Sequence, residues 1–170
     1  MPTQAAIFKH YSQGLADVAR QGDAREESFY APLAELLDRV AHATSRPHVR
    51  VTTLPKPTDA GNPDFRLWNG TDAIIGYVEA KNPAETNLYG VEASEQLRRY
   101  RDTFPNLLLT NFTEFRLYRN GQHVQTLHAA SPSILNDLHA APAIERPAEL
   151  WGLLDQFLDF SVPQAPTAEE

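Results

Sequence analysis

Gly61-Asn62-Pro63-Asp64-Phe65 opens one apolar run of strand length, Asp64 to Trp68, and Glu79-Ala80-Lys81 closes the next, Ala73 to Lys81. Side chains on a strand alternate faces, so Glu79 and Lys81 project to one side while Val78 and Ala80 point to the other. If the two strands are antiparallel neighbours, the turn between them decides whether Asp64 meets Glu79. A two-residue loop at Asn69-Gly70 pairs Asp64 with Ile75, four residues short of Glu79, an offset of about 13 Å that separates the acids. A four-residue loop, Gly70 to Ala73, pairs Asn69 with Ile74 and sets Asp64 opposite Glu79. The longer loop is the expectation.

Two carboxylates so placed repel unless a cation binds or one takes up a proton. A hard divalent ion such as Mg²⁺ suits one or two carboxylates completed by water and phosphate oxygens. Lys81 then stands beside the ion, able to orient or help deprotonate an attacking water. That is the chemistry of phosphodiester hydrolysis. The competing reading is a turn aspartate and a solvated Glu79–Lys81 pair on an exposed strand.

Outward from this stretch, a third strand, Val49 to Leu54, precedes Asp64. Upstream, Ile7, Phe8, Tyr11, Leu15 and Val18 give Gln4 to Arg20 a helical period, read as a peripheral helix. Asp23 and Glu26 are spaced as a capping box before the apolar stripe Phe29, Leu33, Leu36, Leu37 and Val40, although Pro32 moves the true start toward Tyr30. Downstream, Val91 to Thr103 carries Ala93, Leu97, Tyr100 and Phe104 on one helical face, stopped by Pro105. Leu107 to Thr110, Glu114 to Arg119 and His123 to Leu127 read as strands, the last two joined by the hairpin signal Asn120-Gly121. A final amphipathic helix, Glu149 to Phe160, bears Leu150, Trp151, Leu154, Phe157 and Leu158. The tail from Ser161 to Glu170 reads as a linker.

The 170 residues include no cysteine, which excludes disulfides and Cys-based zinc sites. Six histidines without ligand spacing read as structural. No apolar run approaches the roughly 20 residues of a membrane span, and no secretory signal is visible, so a cytoplasmic protein is expected. The net charge of −7 opposes DNA binding only if it is spread evenly. Arg98, Arg99 and Arg101 form the densest basic cluster and are candidate phosphate contacts, with Arg116 and Arg119 joining if the fold brings them close. Gln96 and Tyr100, four apart on a helix, share a face. No GxSxG elbow, phosphate-cradling glycine loop or dinucleotide fingerprint is present.

The order helix, three strands, helix, strand, with Pro63-Asp64, Glu79-Ala80-Lys81, Gln96 and Tyr100 in sequence, resembles the PD-(D/E)XK nuclease superfamily. More narrowly, Glu27 to Gly121 resembles the N-terminal nuclease domain of restriction-modification proteins in which a nuclease precedes an adenine-specific DNA methyltransferase. The resemblance implies an α/β, restriction-endonuclease-like core (αβββαβ) with a mixed central sheet flanked by helices, plus extra N- and C-terminal helices. The expected layout is residues 1–22 as an N-terminal helix, 23–130 as the nuclease core, 131–160 as a C-terminal extension and 161–170 as a linker. It further implies a Mg²⁺-dependent endonuclease acting on double-stranded DNA, with Asp64, Glu79 and the Ala80 carbonyl as metal ligands. Lys81 would assist the nucleophile, Gln96 and Tyr100 would flank the site, and Glu27, or its neighbour Glu26, would add an acid. Methylation motifs are lacking, so a methyltransferase and target-recognition domain are expected as fused or associated partners, and cleavage by these residues alone should depend little on sequence. Two alternatives stand beside this: a non-catalytic DNA-binding or interaction module, and a repair nuclease.

Overall fold

In a computed structural model, residues 2–131 and 140–160 are described. The expected linker from Ser161, and Pro132 and His139, lie outside them. A six-stranded mixed sheet runs in chain order: β1 (Arg50–Thr53), β2 (Phe65–Trp68), β3 (Ile74–Ala80), β4 (Asn106–Thr110), β5 (Glu114–Arg119) and β6 (Gln122–His128). All neighbours are antiparallel except β3 and β4, which are parallel. Parallel neighbours need a crossover, and two helices supply it: α3 (Leu88–Glu92) and α4 (Glu95–Thr103).

Alternation along the strands divides the core. Phe65, Leu67, Val78, Ala80, Leu108 and Leu117 face one side, where they meet α1 (Gln4–Arg20), α2 (Tyr30–Ala43) and α5 (Pro147–Leu158). Leu107, Leu109, Tyr118 and Tyr77 face the other, beneath Leu88, Leu97, Tyr100 and Phe104 of the crossover. Among the described residues no helix is long and apolar enough to cross a membrane.

Several expectations shift in detail. α1 is not peripheral: Ile7, Phe8, Tyr11 and Leu15 are buried in the main core, and the Tyr11 hydroxyl donates to the Phe112 carbonyl at 2.5 Å. The capping box is not Asp23 with Glu26. A 3₁₀ turn, Glu26–Phe29, precedes α2, and the Ser28 hydroxyl accepts from the Arg25 N–H at 3.0 Å. α2 itself starts at Tyr30, which leaves Pro32 in the first turn, where its missing N–H costs nothing. The helix expected from Val91 is two helices, because Ser94 caps α4 by accepting from the Leu97 N–H at 3.3 Å. In α5 Leu153 is buried and Trp151 half-buried. At the β5–β6 turn, Asn120 (φ 50°) and Gly121 (φ 78°) both take the left-handed backbone of a tight hairpin.

Candidate active site

Asp64 sits at the entry to β2, its N–H donating to the Val78 carbonyl (3.1 Å) and its carbonyl accepting from the Leu54 N–H (2.8 Å). Phe65 pairs with Val78, so the same register places Asp64 across from Glu79. The expected juxtaposition is present, but the turn reaches it differently. Asn69 closes a three-residue loop, its Oδ1 accepting from the N–H groups of Thr71, Asp72 and Ala73 (2.9, 3.0 and 3.2 Å) and its own N–H donating to the Ala73 carbonyl (3.0 Å). The residue thus removed from the loop reappears in β3 as a bulge between the Leu67–Gly76 and Trp68–Ile74 pairs. The bulge turns Ile75 into the main core, which repays the break in the ladder.

Asp64 is held at both oxygens. The Tyr30 hydroxyl donates to Oδ1 at 2.7 Å, and the Ala80 N–H donates to Oδ2 at 2.8 Å. Burial raises its pKa, while these two donors and Lys81 pull it back. Glu79 is only 4% exposed, which excludes the reading of a solvated strand pair. Its Oε1 accepts from Lys81 Nζ at 3.2 Å, and its buried Oε2 meets no N–H or O–H donor, the Asp64 carboxylate lying close enough to share a proton with Glu79. Burial first, and the charge of Asp64 second, push its pKa up to about 8 against the pull of Lys81. Lys81 Nζ also donates to Gln96 Oε1 at 3.2 Å, and Gln96 Nε2 donates to the Tyr100 hydroxyl at 3.3 Å. One relay therefore runs from Glu79 through Lys81 and Gln96 to Tyr100. Gly61 backs it: at φ 131° its backbone suits glycine, and a Cβ there would come within 3.2 Å of the Tyr100 hydroxyl.

Of the two adjacent glutamates, the structure turns Glu26 inward and leaves Glu27 exposed. Burial and then Asp64 raise the pKa of Glu26, which in turn acts on Glu79. Consecutive residues on a 3₁₀ turn lie about a third of a turn apart, so only one can face the site. Of the two alternatives, Glu26 is the one that the fold turns toward Asp64 and Glu79. Among the described residues no three His, Cys, Asp or Glu side chains converge closely enough to hold a metal between them. Any ion would rest on the Asp64–Glu79 pair completed by non-carboxylate oxygens.

No family model matches the chain, and no curated protein matches it. Among solved structures, a chain of a DrdV–DNA complex determined by cryo-EM is similar, at 25% identity and a TM-score of 0.65. The match spans 91% of this chain and 14% of that one. The restriction-endonuclease-like α/β architecture, a mixed sheet flanked by helices, is the fold of this chain.

The basic cluster is divided by the fold. Arg98 and Arg99 are exposed, with Arg99 donating to the Ala60 carbonyl at 3.3 Å and lying 3.8 Å from Glu95. Arg101 is spent internally: it donates to the Gly121 carbonyl (2.9 and 3.2 Å) and to Glu92 (3.0 Å), and lies over the Tyr118 ring. These partners hold its guanidinium within the fold, unlike the exposed Arg98 and Arg99. Arg116 reaches the same Glu92 (2.9 Å) and Glu114 (3.3 Å), and Arg119 donates to Asn106 Oδ1 (2.8 Å). Tyr30 is the site residue that spacing did not reveal. Its position on the α2 stripe accounts for a buried ring, here 4.9 Å from Phe65, and only the requirement that a buried phenol find a partner marks it as more.

Proposed function

We propose that this chain is a Mg²⁺-dependent DNA endonuclease domain, the cleavage module of a restriction-modification enzyme working with an adenine-specific methyltransferase and a target-recognition domain. The observation that carries the reading is the Asp64–Glu79 pair, a half-buried and a buried carboxylate facing each other with no donor to Glu79 Oε2. A buried carboxylate oxygen without a donor costs stability, and a divalent cation is the partner that two such acids and a phosphate share. The similarity to a much longer chain solved with DNA supports the same reading.

The donor set fits a hard ion: Asp64, Glu79 and the Ala80 carbonyl would hold it. When bound, Mg²⁺ would polarise a phosphoryl oxygen and acidify a water. The protein's own groups prepare the rest. Tyr30 and the Ala80 N–H fix the plane of the Asp64 carboxylate. Gln96, itself held by Tyr100, draws the Lys81 ammonium to a point between Glu79 and the helix. There a cation can orient a water or stabilise charge on a phosphate without a search through side-chain rotamers.

Plasmid nicking tests the proposal. With Mg²⁺ the wild type should nick supercoiled DNA, and Asp64→Ala, Glu79→Ala or Lys81→Ala should each lower the rate by about a hundredfold or more with an unchanged circular dichroism spectrum. Full activity in all three variants would remove the assignment. A wild type that binds duplex without nicking it would leave a DNA-binding module.

A further inference from the structure

Seven of the twelve arginines lie close to a carboxylate, Arg20 beside Asp17 among them. Arg39, Arg46, Arg99, Arg101, Arg116 and Arg146 each lie within 4 Å of a carboxylate. Arg66 is different. It is half-buried, its Nε is sealed from solvent with no hydrogen-bond partner, and among the described residues no carboxylate pairs with it. An enclosed guanidinium nitrogen without an acceptor is costly, so its place in the sheet needs an explanation that the fold does not supply.

That place is beside the acids. Arg66 faces Tyr77 across the β2–β3 ladder, on the side opposite Phe65 and Leu67. Glu79 is two residues beyond Tyr77, which makes Arg66 and Glu79 diagonal neighbours at about 7–8 Å. Along the strand axis the order on this face is Arg66, the Asp64–Glu79 pair, then Lys81, with roughly 6.6 Å between successive steps. Lys81 turns inward to Glu79 and Gln96. Arg66 makes no such contact, although the carboxylates are its nearest anions along the strand.

We propose that Arg66 binds a flanking phosphate of the DNA strand whose scissile phosphate lies over Asp64 and Glu79. A phosphate has the geometry and charge to engage a guanidinium through two donors at once. Through the terminal nitrogens of Arg66 it would also give the half-buried cation a counter-charge. The proposal rests on the nuclease reading for the identity of the strand. It goes beyond that reading in naming a substrate contact on β2, away from the arginines of α4.

Arg66→Gln and Arg66→Lys, in the full 170-residue chain, separate the possibilities by fluorescence anisotropy on a labelled duplex across a salt series with Ca²⁺ present. Loss of the contact should weaken binding about tenfold and lower the slope of log affinity against log salt by about one. Arg66→Lys should keep the slope. The melting temperature of Arg66→Gln should stay level or rise, because a half-buried cation without a carboxylate partner has been removed. Wild-type affinity and slope in Arg66→Gln overturn the proposal, and so does a lower melting temperature with an unchanged slope, which would assign Arg66 to the fold. Plasmid nicking run alongside keeps the two readings apart. A wild type that nicks while Arg66→Gln binds normally loses the Arg66 contact and keeps the nuclease; a wild type with an Arg66-dependent slope and no nicking does the reverse.

Discussion

The two ends of the β3 strand bury polar side chains to opposite effect. Near its start, Asn106 of the adjoining β4 is fully buried and fully used. Its Nδ2 donates to the Ile75 (3.0 Å) and Phe157 (2.8 Å) carbonyls, and its Oδ1 accepts from Arg119. There the sheet, α5 and β5 are tied by one amide with nothing left over. At the other end, Glu79 is buried almost as deeply, yet one oxygen meets no N–H or O–H donor and another acid stands opposite. Satisfied burial builds a structure, whereas burial left short of a partner stores a demand that a ligand can meet.

The contrast can be broken at either end. Asn106→Ala should be the costliest change, because it strands two buried carbonyls and an arginine at once. A loss of about 3 kcal/mol in urea unfolding is expected, and a loss below about 1 kcal/mol would show that the amide is not the tie described. Glu79→Gln should act in the opposite direction in metal-free protein. The raised pKa of Glu79 means that the folded chain holds a proton that the unfolded chain releases near its ordinary carboxylate value. Its contribution is therefore favourable below about pH 4.5 and is lost as pH rises through about 8. With a chelator present, wild-type melting should fall relative to Glu79→Gln between those limits, by on the order of 5 °C. Parallel curves for the two proteins would place the proton elsewhere. The smallest effect is expected from Tyr30→Phe, which keeps the ring against Phe65 and removes one of the two donors to Asp64. Calorimetric titration with Mn²⁺ should show affinity reduced by about three- to tenfold with little change in melting temperature. Equal affinity would make the hydroxyl a bystander.

Much of this was legible in local spacing. Alternation put Glu79 and Lys81 on one face, the four-residue interval put Gln96 beside Tyr100, and Asn120-Gly121 announced its hairpin. Even the meeting of Asp64 with Glu79 follows from counting, although Asn69 shortened the loop and Ile75 absorbed the difference. What spacing did not show has a common form. Gly121, twenty residues on, gives Arg101 a partner that no spacing foretells, and Tyr30 reads as core until Asp64 reaches its hydroxyl.

Residue order alone determined the kind and sequence of most elements and which side chains share a face along an unbroken strand or helix, because strand and helix periods are set by backbone geometry within a few bonds. Tertiary structure decided which polar groups find partners: that Asn106 has all of its bonds, that Glu26 rather than Glu27 turns inward, and that Glu79 and Arg66 go short. Hydrogen bonding and desolvation depend on what packs across tens of residues, and no local period encodes that.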